Sequence, residues 1–129
     1  MSDKKLTLSL LKDNYAVCRL EPGSLIPDYA YNSDFYSITG TRDELSVVCL
    51  SDAIPEDVTC EKDWSIIKVE GPLDFSLIGI LAPICTILAD KKISIFAIST
   101  YDTDYILVRK KDVAGAVKAL TEEGYEILK

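Results

Sequence analysis

The chain contains no histidine. That absence removes the side chain that most often acts as a general base near neutral pH, and with it Ser-His-Asp and Cys-His nucleophile schemes. An enzyme built on this sequence would rest on carboxylates, Lys or Tyr alone. Cysteine is sparse and scattered: Cys18, Cys49, Cys60 and Cys85 form no C-x-x-C pair and have no histidine to complete a mixed zinc site. No metal and no cofactor is expected. Three of these cysteines lie in apolar runs, where the thiol behaves as a small hydrophobe, so they read as reduced core residues. Basic charge is also short, with Lys+Arg 14 against Asp+Glu 21, a formal charge of -7 and a pI of about 4.5. The cationic footprint that neutralises phosphates is missing. No apolar run approaches the ~20 residues of a membrane helix, and Met1-Ser2-Asp3-Lys4-Lys5 leads into an apolar–polar alternation instead of a signal sequence. Neither nucleic acid nor membrane is an expected partner, and the expected location is cytoplasmic.

What is plentiful is apolar residue. At 129 residues and 48% hydrophobic, the chain can bury roughly two-thirds of its unfolded surface, enough for one compact domain or two very small halves. Leu6, Leu8 and Leu10 alternate with Thr7 and Ser9, the period of a half-buried strand. Asp13-Asn14 signals a turn, and Tyr15 to Leu20 reads as the second arm of a hairpin. From Glu21 to Asp34, Pro22-Gly23, Pro27 and Asn32-Ser33-Asp34 erase any period and predict a loop. Phe35–Thr39 and Leu45–Leu50 flank a polar Gly40–Glu44 loop as a second hairpin, residues 51 to 63 predict a surface turn, and Trp64–Val69 is again a strand.

Pro72 suits the first position of a helix, with Gly71 extended before it and Asp74 in the first turn, where a carboxylate favours the dipole. Leu73, Leu77, Ile80, Leu81, Ile84, Ile87 and Leu88 carry that helix to about Asp90, apolar on most sides; Pro83 then falls in its interior and predicts a kink that costs about 3 kcal/mol. Ile93–Ile98 and Tyr105–Val108 are strands apolar on both faces, as central strands are, joined by a turn at Asp102-Thr103. Asp112 is placed to cap a last helix through Glu123, Gly124 to stop it, and Tyr125–Leu128 to close the sheet as an edge strand.

From Trp64 onward the order is strand, helix, strand, strand, helix, strand, the split βαβ or ferredoxin-like unit. Residues 35–48 echo 95–108, with Tyr36 on Phe96, Ile38 on Ile98 and Val48 on Val108 at a constant offset. Two explanations fit: a degenerate repeat whose first copy has exchanged helix for loops, or chance likeness between two strand hairpins. The expected fold class is α+β, two ferredoxin-like repeats packed together, the N-terminal one (1–62) reduced in helix and the C-terminal one (63–129) complete.

The runs Val69-Glu70-Gly71-Pro72-Leu73-Asp74-Phe75, Gly79-Ile80-Leu81-Ala82 and Ile98-Ser99-Thr100-Tyr101-Asp102-Thr103-Asp104 resemble the small bacterial tandem ACT-domain proteins. These are related to the regulatory repeats of aspartate kinases and of the CASTOR-type sensors. Phe35–Thr41 and Glu44–Val48 are similar to the first, reduced repeat. The resemblance implies two ACT-like βαββαβ units, a regulatory role without catalysis, and a ligand, typically an amino acid, held between ACT units. It places ligand contacts at Gly71, Pro72, Leu73, Asp74 and Phe75, and at Ile98, Ser99, Thr100, Tyr101, Asp102, Thr103 and Asp104. The chain departs from the aspartate kinases in carrying no catalytic domain.

The chemistry of these residues is consistent with that assignment. An amino-acid carboxylate suits amides at a helix start, and its ammonium suits Asp102 or Asp104, while Asp74 could read a basic side chain. Each residue also has a plainer role: Asp74 stabilises a helix start, Asp102 and Asp104 solvate a turn, and Tyr101 and Tyr105 pack on the sheet. The alternative function is a ligand-free interaction or oligomerisation module, with a homodimer expected in either case. Carboxylate catalysis would need two acids held across a cleft, and the acids here lie on turns.

Overall fold

The computed structural model describes residues 6–71 and 78–129. Its elements run β1 (Thr7–Leu10), β2 (Tyr15–Leu20), β3 (Ser37–Gly40), β4 (Leu45–Leu50), β5 (Cys60–Val69), α1 (Leu81–Asp90), β6 (Ile95–Ser99), β7 (Asp104–Arg109), α2 (Val113–Glu122) and β8 (Glu126–Leu128). This is a mixed α+β fold with strands and two α-helices in the order of the expected ferredoxin-like unit from β5 onward. The chain forms two compact units, Asp13–Trp64 and Met1–Lys12 with Ser65–Lys129.

In the larger unit β1 pairs antiparallel with β5 (Leu8 with Val69) and parallel with β8 (Leu8 with Ile127), while β7 pairs with both β5 and β6. The alternation in β1 is therefore real, but its partner is not β2: the expected first hairpin does not form. β1 is instead inserted between β5 and β8, joined by Leu11 N–H to the Ile66 carbonyl and Glu70 N–H to the Thr7 carbonyl, both at 2.9 Å. Leu8, Ile67, Val69, Ile106 and Val108 bury one sheet face against Ile84 and Leu88 of α1 and Ala116 and Leu120 of α2. Fully burying side chains of this size stabilises by about 1.5–3 kcal/mol each.

Further expectations are corrected. Among the described residues the expected helix is present from Leu81, preceded by Gly79 at φ +71, outside the helical range; the expected start at Pro72 lies outside the described residues. Pro83 is then the third residue of α1, within the first turn, where a backbone N–H would have no intrahelical acceptor; the expected interior kink does not arise. α1 is also less enclosed than expected, since Ala82, Thr86 and Ala89 are exposed. Among the described residues β6 pairs only with β7, so it is an edge strand; β7, with Ile106, Leu107 and Val108 fully buried, is the central one. Asp112 ends a short 3₁₀ turn and makes no side-chain capping bond to α2. Gly124, at φ +101, ends α2 as expected, with Gly124 N–H on the Thr121 carbonyl and Tyr125 N–H on that of Leu120.

The smaller unit is a sheet in the order β3-β4-β2-β5, with the first half of β5 at its margin. β5 starts four residues earlier than its alternation suggests and bulges where Asp63 takes φ +67, shifting the register between Tyr15 with Trp64 and Val17 with Glu61. Ala16, Cys18, Val47, Cys49 and Ile54 form its core, with Ala30 from the 3₁₀ turn Asp28–Tyr31. No α-helix occurs among its described residues.

Candidate functional site

β5 ends at Val69 and runs on into Glu70 and Gly71, and the β6–β7 turn reaches back to its last carbonyl. The Thr103 hydroxyl, buried in a residue only 5% exposed, donates to the Val69 carbonyl at 2.6 Å. Thr100 shapes the turn twice over. Its N–H meets the Thr103 carbonyl at 2.8 Å, and its hydroxyl donates to that carbonyl at 3.1 Å and accepts from Thr103 N–H at 3.3 Å. Only Tyr101 and Asp102 remain at the tip, a two-residue hairpin loop.

The strands below the tip continue the polar character. Ser99, opposite Asp104 in the register, donates its hydroxyl to that carboxylate. Across the exit of β5, Ser9 of β1 donates to the Glu70 carboxylate. The Asp104 charge also reaches α1: burial and then the Asp104 carboxylate push the Cys85 thiol above its usual range. The start of α1, the exit of β5 and the β6–β7 turn therefore share one end of this unit.

Of the residues read from the sequence, Ser99, Thr100, Thr103 and Asp104 share one hydrogen-bonded turn, and Thr103 ties it to Val69, at the end of the strand that precedes Gly71. Tyr101 projects with 80% exposure beside exposed Asp102, and Ile98 is half-buried in β6 opposite Tyr105. Pro72, Leu73, Asp74 and Phe75 lie outside the described residues. Ser9, Glu70 and Cys85 join the surroundings without having been foreseen. Ser9 is there because β1 pairs with β5, a choice of neighbour that alternation cannot encode. Thr103 read as a turn residue; its role as the tie to β5 is visible only in three dimensions.

The smaller unit repeats the turn. Thr41 N–H meets the Glu44 carbonyl at 2.9 Å, the Thr41 hydroxyl donates to that carbonyl at 3.3 Å, and it accepts from Asp43 and Glu44 N–H at 3.1 Å. Thr41-Arg42-Asp43-Glu44 thus corresponds to Thr100-Tyr101-Asp102-Thr103, one residue away from the register read in the sequence. The shift sets core-facing Val47 and Cys49 on core-facing Ile106 and Val108. Here Arg19 Nη2 donates to the Asp43 carbonyl at 2.8 Å, and Arg19 pairs with Glu21 at 3.6 Å.

Among the described residues, the surface grooves along the helices of the larger unit include two of note. One, of about 690 Å³, lies among Gly79, Ala82, Thr86, Ala119 and Glu122; the other, of about 340 Å³, among Lys91, Lys111, Gly115 and Lys118. Neither is lined by the predicted ligand residues. Among the described residues no cluster of His, Cys, Asp and Glu is arranged to hold a metal, and no helix is long and apolar enough to cross a membrane.

Comparison with known proteins follows this division of the chain. The ACT-domain family profile matches residues 59–122, and the profile of a separate N-terminal domain matches residues 13–57. No curated protein matches the sequence. Among solved structures, protein Atu0741 from Agobacterium tumefaciens is similar at 39% identity and TM-score 0.91, over 96% of this chain and 92% of that one. VC0802 from Vibrio cholerae, a protein of unknown function, is similar at 22% identity and TM-score 0.77 over 94% and 91%. The ligand-free regulatory subunit of aspartate kinase from Thermus thermophilus shares the fold at 14% identity and TM-score 0.61, over 91% and 97%.

Proposed function

From a chain that carries an ACT domain over residues 59–122 and belongs to the same family as Atu0741, we infer a non-enzymatic regulatory protein that binds a small molecule, an amino acid being the ligand class its site suits. The observation that carries this reading is the Thr103–Val69 hydrogen bond, which fixes the acidic turn against the strand exit leading to Gly71. Asp104 is already engaged by Ser99, so the exposed Asp102 is the carboxylate offered to an ammonium group. The residues proposed for ligand contact are Gly71, Pro72, Leu73, Asp74 and Phe75 together with Ile98 to Asp104. The relation to aspartate kinase regulatory subunits is one of fold, and it supports regulation over catalysis. The proposal places the protein in the cytoplasm and treats its two units as divergent ACT-like repeats, a reading supported by the shared Thr41 and Thr100 turns.

A second reading rests on β6. Among the described residues it pairs only with β7 and exposes Ala97 and Ser99, an arrangement that favours a homodimer or a docking module. The two readings coexist when the ligand sits at a subunit interface. A thermal-shift panel of the proteinogenic amino acids separates them. Binding at a hundredfold excess over Kd gives about 2.7 kcal/mol of added stability, several degrees in Tm. A panel that leaves Tm unmoved, together with a dimer by light scattering, would favour the docking module.

A further inference from the structure

Three of the four cysteines meet in the smaller unit, each from a different strand: Cys18 in β2, Cys49 in β4 and Cys60 at the start of β5. All three face the same core. The Cys18 thiol lies within hydrogen-bonding reach of both of the others.

Register separates the two pairings that Cys18 could make. Cys18 stands directly opposite Cys60 in the antiparallel β2–β5 ladder. The neighbouring bond, Arg19 N–H to the Thr59 carbonyl at 2.9 Å, makes Cys18 and Cys60 a non-hydrogen-bonded pair. In such a pair the Cα atoms are about 4.5 Å apart and the side chains approach closely. That separation lies inside the range of about 4.4–6.8 Å that a disulfide spans. Cys49 stands opposite Ala16, so it is a diagonal neighbour of Cys18. Diagonal positions are about 7–8 Å apart, too far to bridge without moving backbone.

Exposure separates the thiols again. Cys18 and Cys49 are buried, whereas Cys60 is partly exposed. An oxidant from solvent therefore meets Cys60 first. The hydrogen bond with Cys49 and then burial hold the Cys18 proton in place, so the buried Cys18 is the second reactant and not the initial target.

We propose that Cys60 and Cys18 form a peroxide-sensitive dithiol, which closes to a cross-strand disulfide between β5 and β2. The Cys60 sulfur attacks a peroxide oxygen: an S–O bond forms, the O–O bond breaks, and Cys60 becomes a sulfenic acid as one water leaves. The Cys18 sulfur then attacks the Cys60 sulfur. An S–S bond forms, the S–O bond breaks, and a second water leaves with the Cys18 proton. Two thiols are oxidised by two electrons and one peroxide is reduced to two waters. Cys49 and Cys85 keep their thiols.

The test is titration of the full chain with hydrogen peroxide, followed by thiol counting in denaturant and non-reducing peptide mass mapping. The expected result is a fall from four free thiols to two, with a single Cys18–Cys60 cross-linked peptide that dithiothreitol reverses. Cys49→Ser and Cys85→Ser should each still form the cross-link, whereas Cys60→Ser should leave Cys18 reduced at the same peroxide dose. Overoxidation of Cys60 to the sulfinic acid with Cys18 still reduced, a Cys18–Cys49 linkage, or four surviving thiols would each overturn the proposal.

Discussion

The Thr103 hydroxyl is hydrogen-bonded to the Val69 carbonyl at 2.6 Å, out of contact with water. A carbonyl at the end of a strand must find a donor, and here the donor comes from a turn 34 residues later in the chain. One bond thereby satisfies β5 and positions the proposed ligand turn. Thr103→Val keeps the shape, removes the donor and strands the carbonyl. We expect a loss of about 1–3 kcal/mol in urea unfolding, and Thr103→Ser should recover most of it. Equal stability of Thr103→Val and wild type would remove the tie from the account.

Pro83 gives a test of where α1 begins. In a helix interior, replacing proline by alanine removes a penalty of about 3 kcal/mol. In the first turn of Leu81–Asp90 the missing N–H has no role. Pro83→Ala is therefore expected to change stability by less than about 1 kcal/mol by chemical denaturation. A gain near the interior value would return the helix start to Pro72.

These two residues show what the sequence discloses and what it withholds. Period marks faces: Leu6, just before β1, and Leu8 and Leu10 within it all pack on the same core. It does not mark neighbours. β1 has the same pattern whether it pairs with β2 or enters between β5 and β8, because pairing is settled by distant residues. Nor does an unbroken apolar run reveal a late helix start; the signal was Gly79, whose positive φ separates Ile78 from α1. β6 looked central because Phe96 and Ile98 are apolar on the face opposite Ile95, yet among the described residues it pairs only with β7, which is a property of sheet order. The turn at Asp102-Thr103 was legible, since its residues are turn formers, while the threonine hydroxyls that build it fixed the register only in the structure.

Lys92, directly after α1, holds φ +61, a conformation that usually falls to glycine at a helix end. Its N–H still meets the Ala89 carbonyl at 2.9 Å. Lys92→Gly relieves the side-chain clash of the left-handed region and should raise stability by about 1 kcal/mol. Calorimetric melting would show it as a higher Tm, and a lower Tm would mean that the Lys92 side chain contributes more than its backbone loses.

Tyr15 makes the smaller unit sensitive to alkali. It is 1% exposed, packs edge-on against Phe35 with ring centroids 6.0 Å apart, and is pushed up to about 12 by burial first and then by the charges of Asp13 and Asp34. The native state keeps the phenol proton after the unfolded chain has lost it near pH 10. Its contribution is thus complete below pH 10 and is lost as pH rises toward 12. A proton held only by the native state is worth about 1.4 kcal/mol for every pH unit crossed, so stability should fall by roughly 3 kcal/mol across that window. Tyr15→Phe should flatten this limb in urea midpoints measured from about pH 9 to about pH 12. An unchanged limb would assign the sensitivity to other groups.

The central claim is that an amino acid binds where the β6–β7 turn meets the exit of β5. Amide NMR spectra of the isotopically labelled protein, recorded through a titration with each proteinogenic amino acid, test it directly. The account predicts saturable shifts for at least one of them, concentrated at Gly71 and at Ser99 to Asp104. Unmoved resonances there for every amino acid, or saturable shifts confined to another surface, would contradict it.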